Sequence, residues 1–388
     1  MEISEIVNHY GEERSNYLNA VTTPVFQSSI FCFDNVAALR EGLKKEWCTP
    51  FYTRGYNPTV AVLRKKMAAL EGAEDALVFG SGSAAIAAAV ISCVKAGDHV
   101  VCVQKPYSWT NKLLTALLAR FNVHTTMVDG TETDQILGAV QPNTTLIYLE
   151  SPNSMTFEVQ DIGAVAAFAR EKGITTIIDN SYCTPLNQQP IAMGIDMVCH
   201  SASKYISGHS DVVAGVLCGS SDRIRRIFEG EYMTLGGIIS PNDAWLLIRG
   251  LRTLPVRIKH ANETGVELVQ WLEKHPKVSR VYYPFAEQNP QRELAKRQMK
   301  GAGSLFALEL KARDIAEMEA FCNSLQHFLI TCSWGGYESL IYPACALYDS
   351  QNYGYTTLPW NYVRLYVGLE PVELIKADLE NAFRTIKG

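Results

Sequence analysis

The sequence predicts an α/β fold with a largely parallel sheet, joined to a second, smaller α/β unit. Between about residues 74 and 220, short β-branched runs alternate with longer segments whose apolar residues recur at helical spacing. That alternation is the mark of strands and helices in succession, with helices covering both faces of the sheet. Beyond about residue 248 a long amphipathic stretch leads into two further strand-like runs, "GSLFALEL" and "VRLYVGLE".

In chain order, residues 1–55 are rich in turn-forming and aromatic residues and lack the alternation, so they predict an arm rather than a domain. Residues 56–248 carry the runs "ALVF", "HVVCV", "HTTMV", "TLIYLE", "TTIIDN", "DMVCH" and "AGVLCG", with "YSWTNKLLTALLARF" and "DIGAVAAFAREKG" as intervening helices. Residues 249–388 form the smaller unit, opened by the amphipathic segment that ends in "ELVQWLEKHP". No internal repeat or low-complexity linker interrupts this order.

Composition narrows the function. The 388 residues include 35 basic and 40 acidic side chains, a net charge of -5, with no block of lysine or arginine. A nucleic-acid-binding surface is therefore not expected. The longest apolar run, "AAIAAAVISCV", is too short to span a bilayer, and "MEISEIVNHYGEERSNYLNA" has neither the basic nor the apolar region of an export signal. A cytoplasmic protein with no membrane partner is expected. Ten cysteines contain no C-x-x-C pair and eight histidines no H-x-x-x-H pair, so buried thiols are expected and no metal site.

In sheets of this kind ligands gather at the carboxyl ends of the strands. The run "GIDMVC" is followed by "HSASKYISGHSD", which sets Lys204 among Ser201, Ser203, Ser207 and Gly208. A lysine lodged at a strand end loses hydration, which favours the neutral, nucleophilic amine; an ordinary loop lysine has the same spacing. Asp179 ends the apolar run "TTIID", where a carboxylate calls for a cation or serves as a cap. "FGSGSAAIAAA" places a glycine and serine turn before an alanine-rich helix, a setting for a phosphate at a helix N-terminus or simply for tight packing. A phosphorylated pyridinium cofactor held by the lysine is the one ligand common to all three.

"SASKYISGHSD", "DNSYCTP", "YTRGYNPT", "LESPNSMTFEVQDI", "SWGGYESLIYPA" and "RLYVGLE" together resemble the pyridoxal-phosphate enzymes of cysteine and methionine metabolism, and most of all bacterial cystathionine β-lyases. The resemblance implies the fold type I (aspartate-aminotransferase-like) architecture and a homotetramer of two tight dimers. It implies that Lys204 holds pyridoxal 5'-phosphate and shuttles protons, that Asp179 pairs with the ring nitrogen, and that Tyr107 stacks on the ring. Gly82, Ser83, Ser201 and Ser203 would hold the phosphate, joined by Tyr52 and Arg54 from the neighbouring subunit's arm. Arg364 would clamp the substrate carboxylate, with Ser333 and Trp334 beside it. The reaction so implied is α,β-elimination from a small sulfur-containing amino acid such as cystathionine; γ-elimination or γ-replacement shares its early steps, and a non-catalytic sensor would keep only the fold. "YSWT" (107 to 110), Ser154 and Gly55 depart from the family pattern.

Overall fold

The computed structural model describes residues 1–348 and 358–387. Seven strands form the larger sheet: β1 (Asp75–Phe79), β2 (His99–Val103), β3 (His124–Val128), β4 (Thr144–Glu150), β5 (Thr175–Asp179), β6 (Met197–Ser201) and β7 (Gly215–Gly219). Their order is β1-β7-β6-β5-β4-β2-β3, with β7 antiparallel to both its neighbours and the rest parallel. All but the edge strand β3 are buried along most of their length, which is why they read as apolar runs. The chain reverses its direction of travel across the sheet between β2 and β4. In open α/β sheets ligands bind beyond the strand ends at such a reversal.

A five-stranded sheet follows: β8 (Val278–Tyr282), β9 (Leu305–Leu310), β10 (Phe328–Ile330), β11 (Ser339–Pro343) and β12 (Tyr362–Tyr366), in the order β10-β11-β12-β9-β8. The amphipathic segment before it is one helix, Pro241–Leu272, capped by Ser240, which accepts from the Asp243 amide at 3.0 Å. Its Gly265 faces the Gly303 carbonyl so closely that a Cβ would lie 2.0 Å from the oxygen. That contact fixes the helix against the second sheet.

Two features differ from the sequence expectation. The segment expected to be a single helix after Tyr107 is broken into an α-turn Ser108–Lys112, a π-turn Leu113–Leu117 and a 3-10 turn Leu118–Phe121. Within the N-terminal 55 residues, the helix Ile3–Asn8 is docked on its own chain, with Ile6 and Val7 buried and their carbonyls accepting from Lys66 Nζ at 2.9 and 3.2 Å. Farther along, Leu18, Val21, Ile30 and Val36 are left exposed.

Candidate active site

Four strands of the large sheet deliver the site. Tyr107 lies four residues beyond the end of β2, Glu150 ends β4, Asp179 ends β5 and Ser201 ends β6. Register places Glu150 directly beside Asp179 on the adjacent parallel strand, and Asp179 beside Cys199. The two carboxylates are both buried.

Asp179 Oδ1 accepts from the Ser181 amide at 2.9 Å and its hydroxyl at 2.5 Å. That hydroxyl oxygen in turn accepts from the Ser201 amide at 2.6 Å. Burial pushes the Asp179 carboxyl up from its ordinary range, with the Ser181 bonds opposing. Among the described residues it has no ion-pair partner.

Lys204 follows β6 in a loop held from below by Arg257, whose buried guanidinium donates to the carbonyls of Tyr205 and Gly250 at 2.6 and 2.7 Å. Gly208 makes this possible: at φ +71° it sits against Arg257, and a Cβ would meet Nη1 at 2.0 Å. From above, Gly335 presses on the Lys204 backbone, where a Cβ would lie 3.0 Å from its Cα. The preceding Ser333 is held at φ +87°, a conformation rarely adopted by residues other than glycine. Its hydroxyl accepts from Lys204 Nζ at 2.5 Å. Burial lowers the proton affinity of the amine, and the charge of Arg364 lowers it further.

Arg364, on β12, is itself buried, which lowers its own pKa. Its Nη1 donates to the Ser154 carbonyl at 3.0 Å and reaches Met155 Sδ at 2.8 Å. No described carboxylate forms an ion pair with it. Buried charges are normally paired, so a guanidinium without an acid and a carboxylate without a cation mark places reserved for ligand groups.

The remaining expected residues divide. Gly82 opens the helix Gly82–Ile91, and a Cβ there would touch Ser201 at 3.1 Å, so the helix N-terminus and Ser201 form one wall. Ser83 is exposed in the same first turn. Ser203 accepts from the Ala214 amide at 2.9 Å. Trp334 turns into the core against Tyr182 and Tyr205, and Lys204 Nζ lies 5.8 Å from its ring centroid. Tyr52 and Arg54 are exposed, stack on each other at 5.3 Å, and line a separate cavity of about 300 Å³ with Gln27, Ser28 and Ile238. No hydrogen bond or ion pair joins them to Lys204 or Asp179 among the described residues.

Glu150 was not singled out by the sequence, although "TLIYLE" ends in a carboxylate just as "TTIID" does. Its Oε2 accepts from the Tyr107 amide at 2.7 Å, and Oε1 from the Ser154 amide and hydroxyl at 2.9 and 2.8 Å. Burial and the neighbouring Asp179 raise its pKa to about 7.

Residues 5–384 match the sequence profile of the Cys/Met metabolism PLP-dependent enzymes. The chain belongs to this family. It is 37% identical over 383 residues to an L-methionine gamma-lyase of Porphyromonas gingivalis, covering 97% of this chain and 96% of that protein. It is 34% identical to cystathionine beta-lyase MetC of Bacillus subtilis, covering 95% and 92%. Its fold superposes on cystathionine gamma-lyase from Lactobacillus plantarum, solved with L-serine, with a TM-score of 0.90, 31% identity and full coverage of both chains. The architecture is therefore fold type I, and the cofactor is pyridoxal 5'-phosphate. The donor set fits it: an amine of lowered proton affinity, a buried carboxylate lacking a cation, and a helix N-terminus packed against a serine. At this level the chain is an enzyme of the carbon–sulfur lyase and synthase group.

Proposed function

We propose that the enzyme cleaves the carbon–sulfur bond of a small thioether amino acid by α,β-elimination, taking cystathionine and water to homocysteine, pyruvate and ammonia. The observation that carries this reading is the pairing of one amine of lowered proton affinity, Lys204, with one buried guanidinium, Arg364, neither of which forms an ion pair with an acid among the described residues. The guanidinium suits the substrate α-carboxylate, which it can hold through two parallel bonds. Bound pyridoxal phosphate supplies the electron sink for a carbanion at the substrate Cα. Lys204 would hold the cofactor and, once freed by substrate, take the Cα proton on Nζ, an atom that donates to the Ser333 hydroxyl. Asp179 would pair with the ring nitrogen, Tyr107 would stack on the ring, and Gly82, Ser83, Ser201 and Ser203 would hold the phosphate. Ser333 and Trp334 border the substrate.

The names of the relatives favour a second reading, γ-elimination from methionine or cystathionine, in which Lys204 must move a further proton at Cβ. Product analysis separates the two. Pyruvate from cystathionine supports the first and 2-oxobutyrate the second. Release of neither from any sulfur amino acid by the cofactor-loaded protein sinks both.

We further infer an oligomer, a dimer of dimers, in which Tyr52 and Arg54 serve the neighbouring subunit's phosphate site. Their exposure, and the lack of any hydrogen bond or ion pair from them to Lys204 among the described residues, support this. Co-expressed Lys204→Ala and Arg54→Ala chains should then recover activity that neither has alone, because mixed dimers contain one intact site. Mixed dimers without activity would place Arg54 in its own subunit's site.

A further inference from the structure

Glu150 has no role in the reaction described above, yet its carboxylate stands between two residues that do. One oxygen fixes the backbone amide of Tyr107, and the other takes both donors of Ser154, whose carbonyl accepts from Arg364 Nη1 at 3.0 Å. These two loops come from different strands, β2 and β4, and the guanidinium comes from the second sheet. A second tie runs nearby: Asn153 Nδ2 donates to the Lys105 carbonyl at 2.6 Å, so the loops stay together even when Glu150 changes.

We propose that Glu150 is a positioning residue that sets the ring-facing Tyr107 and the carboxylate-binding Arg364 at a fixed separation. The proposal rests on the roles given above to those two residues. Its chemistry is specific to a carboxylate. Both oxygens must accept, because the amides of Tyr107 and Ser154 can only donate. A glutamine turned either way points its NH2 at one of those amides and leaves that donor unpaired. Tyr107 or Ser154 then shifts, and with Ser154 shifts the carbonyl that orients Arg364. The amine of Lys204 is untouched, since its bond is to Ser333.

The test compares Glu150→Gln with Asp378→Asn in the cofactor-loaded enzyme. Asp378 is also a buried carboxylate that accepts backbone amides, those of Gln326 and His327 at 3.0 and 2.9 Å, but it lies on the far helix of the second unit. Glu150→Gln should lower kcat/KM by about ten- to a hundred-fold, the effect of a buried donor left unpaired, mostly through KM. It should also alter the visible circular dichroism of the bound cofactor, which reports how the ring is held. Asp378→Asn should lower the thermal midpoint and leave KM and the dichroism unchanged. Glu150→Asp, which keeps the charge but is one methylene too short to reach both sides, should show smaller shifts of the same two readouts and carries the test if the glutamine variant does not fold. Wild-type KM and dichroism in the Glu150 variants overturn the proposal, as do equal changes in Asp378→Asn. Arg364→Lys is measured alongside. If it raises KM and Glu150→Gln does not, the inference alone fails; if it leaves KM unchanged, the assigned clamp fails and the inference with it.

Discussion

Two lysines of this chain are withdrawn from water, and the protein treats them in opposite ways. Lys66, on the helix Pro58–Glu71, has a fully buried side chain whose Nζ meets Glu12 at 3.0 Å and two backbone carbonyls. Burial lowers its proton affinity, but Glu12 opposes that through both its bond and its charge. Lys204 is half-buried, and after desolvation the largest influence on it is a cation, Arg364, which lowers the affinity again, with Asp179 opposing more weakly and without an ion pair. A lysine that holds structure is given an acid. The one proposed to act as a base has no acid bonded to it.

The sharpest way to break this contrast is to place methionine, of similar length and uncharged, at both positions. Lys204→Met should abolish turnover, because no other group is placed to take the Cα proton, while the thermal midpoint of the cofactor-free protein stays level or rises. Lys66→Met should do the reverse. It removes one partner of a buried pair, typically a loss of about 3 to 5 kcal/mol, and should leave kcat per folded, loaded molecule unchanged. Turnover surviving in Lys204→Met, or lost in folded Lys66→Met, would mean that pairing does not separate structural from catalytic lysines here.

Arg364→Lys probes the other cation that lacks an acid. An ammonium cannot reproduce two parallel bonds to a carboxylate, so KM for amino-acid substrates should rise by about ten-fold or more with cofactor content held. A fall in bound cofactor at constant KM would show that Arg364 faces the phosphate instead.

The sequence announced one of the two lysines and hid the other. Lys204 stood out because it follows an apolar strand and is surrounded by serine and glycine, a local pattern. Lys66 lies in "LRKKMAAL", which reads as the solvated face of a helix. It is buried because residues 3–8 fold back over it, a contact spanning about sixty residues that no local pattern encodes. The strands of the large sheet were legible for the same reason as Lys204: except for the edge strand β3, each is a short apolar run that is mostly buried. The three-residue β10 and the five-residue β8, exposed at two central positions, carry too little apolar signal to be seen. Asp179 was legible as a carboxylate closing a strand. Glu150 closes one too, but its importance depends on lying in register beside Asp179 and on the loops it joins, which only the sheet order reveals.

That pair of carboxylates is the anionic counterpart of the lysine comparison, and it supplies the smallest effect. The Glu150 pKa is raised from 4.5 to about 7 in the folded chain by burial and then by Asp179. Its folded value lies above the unfolded one, so its contribution to stability is complete below about pH 4.5 and is lost as pH rises through about 7. Between those limits the unfolded chain has released a proton that the folded chain still holds. Thermal midpoints of the cofactor-free protein should therefore fall by about three degrees more across that range in wild type than in Glu150→Gln, which cannot titrate. Identical slopes would show that Glu150 is already ionised in the folded chain. A cation facing Asp179 cancels the like charge beside Glu150 and draws its pKa back down. The slope should accordingly flatten in the cofactor-loaded protein, whereas in Asp179→Asn, where the like charge is gone and burial alone raises Glu150, it should already be shallower without cofactor and change little on loading.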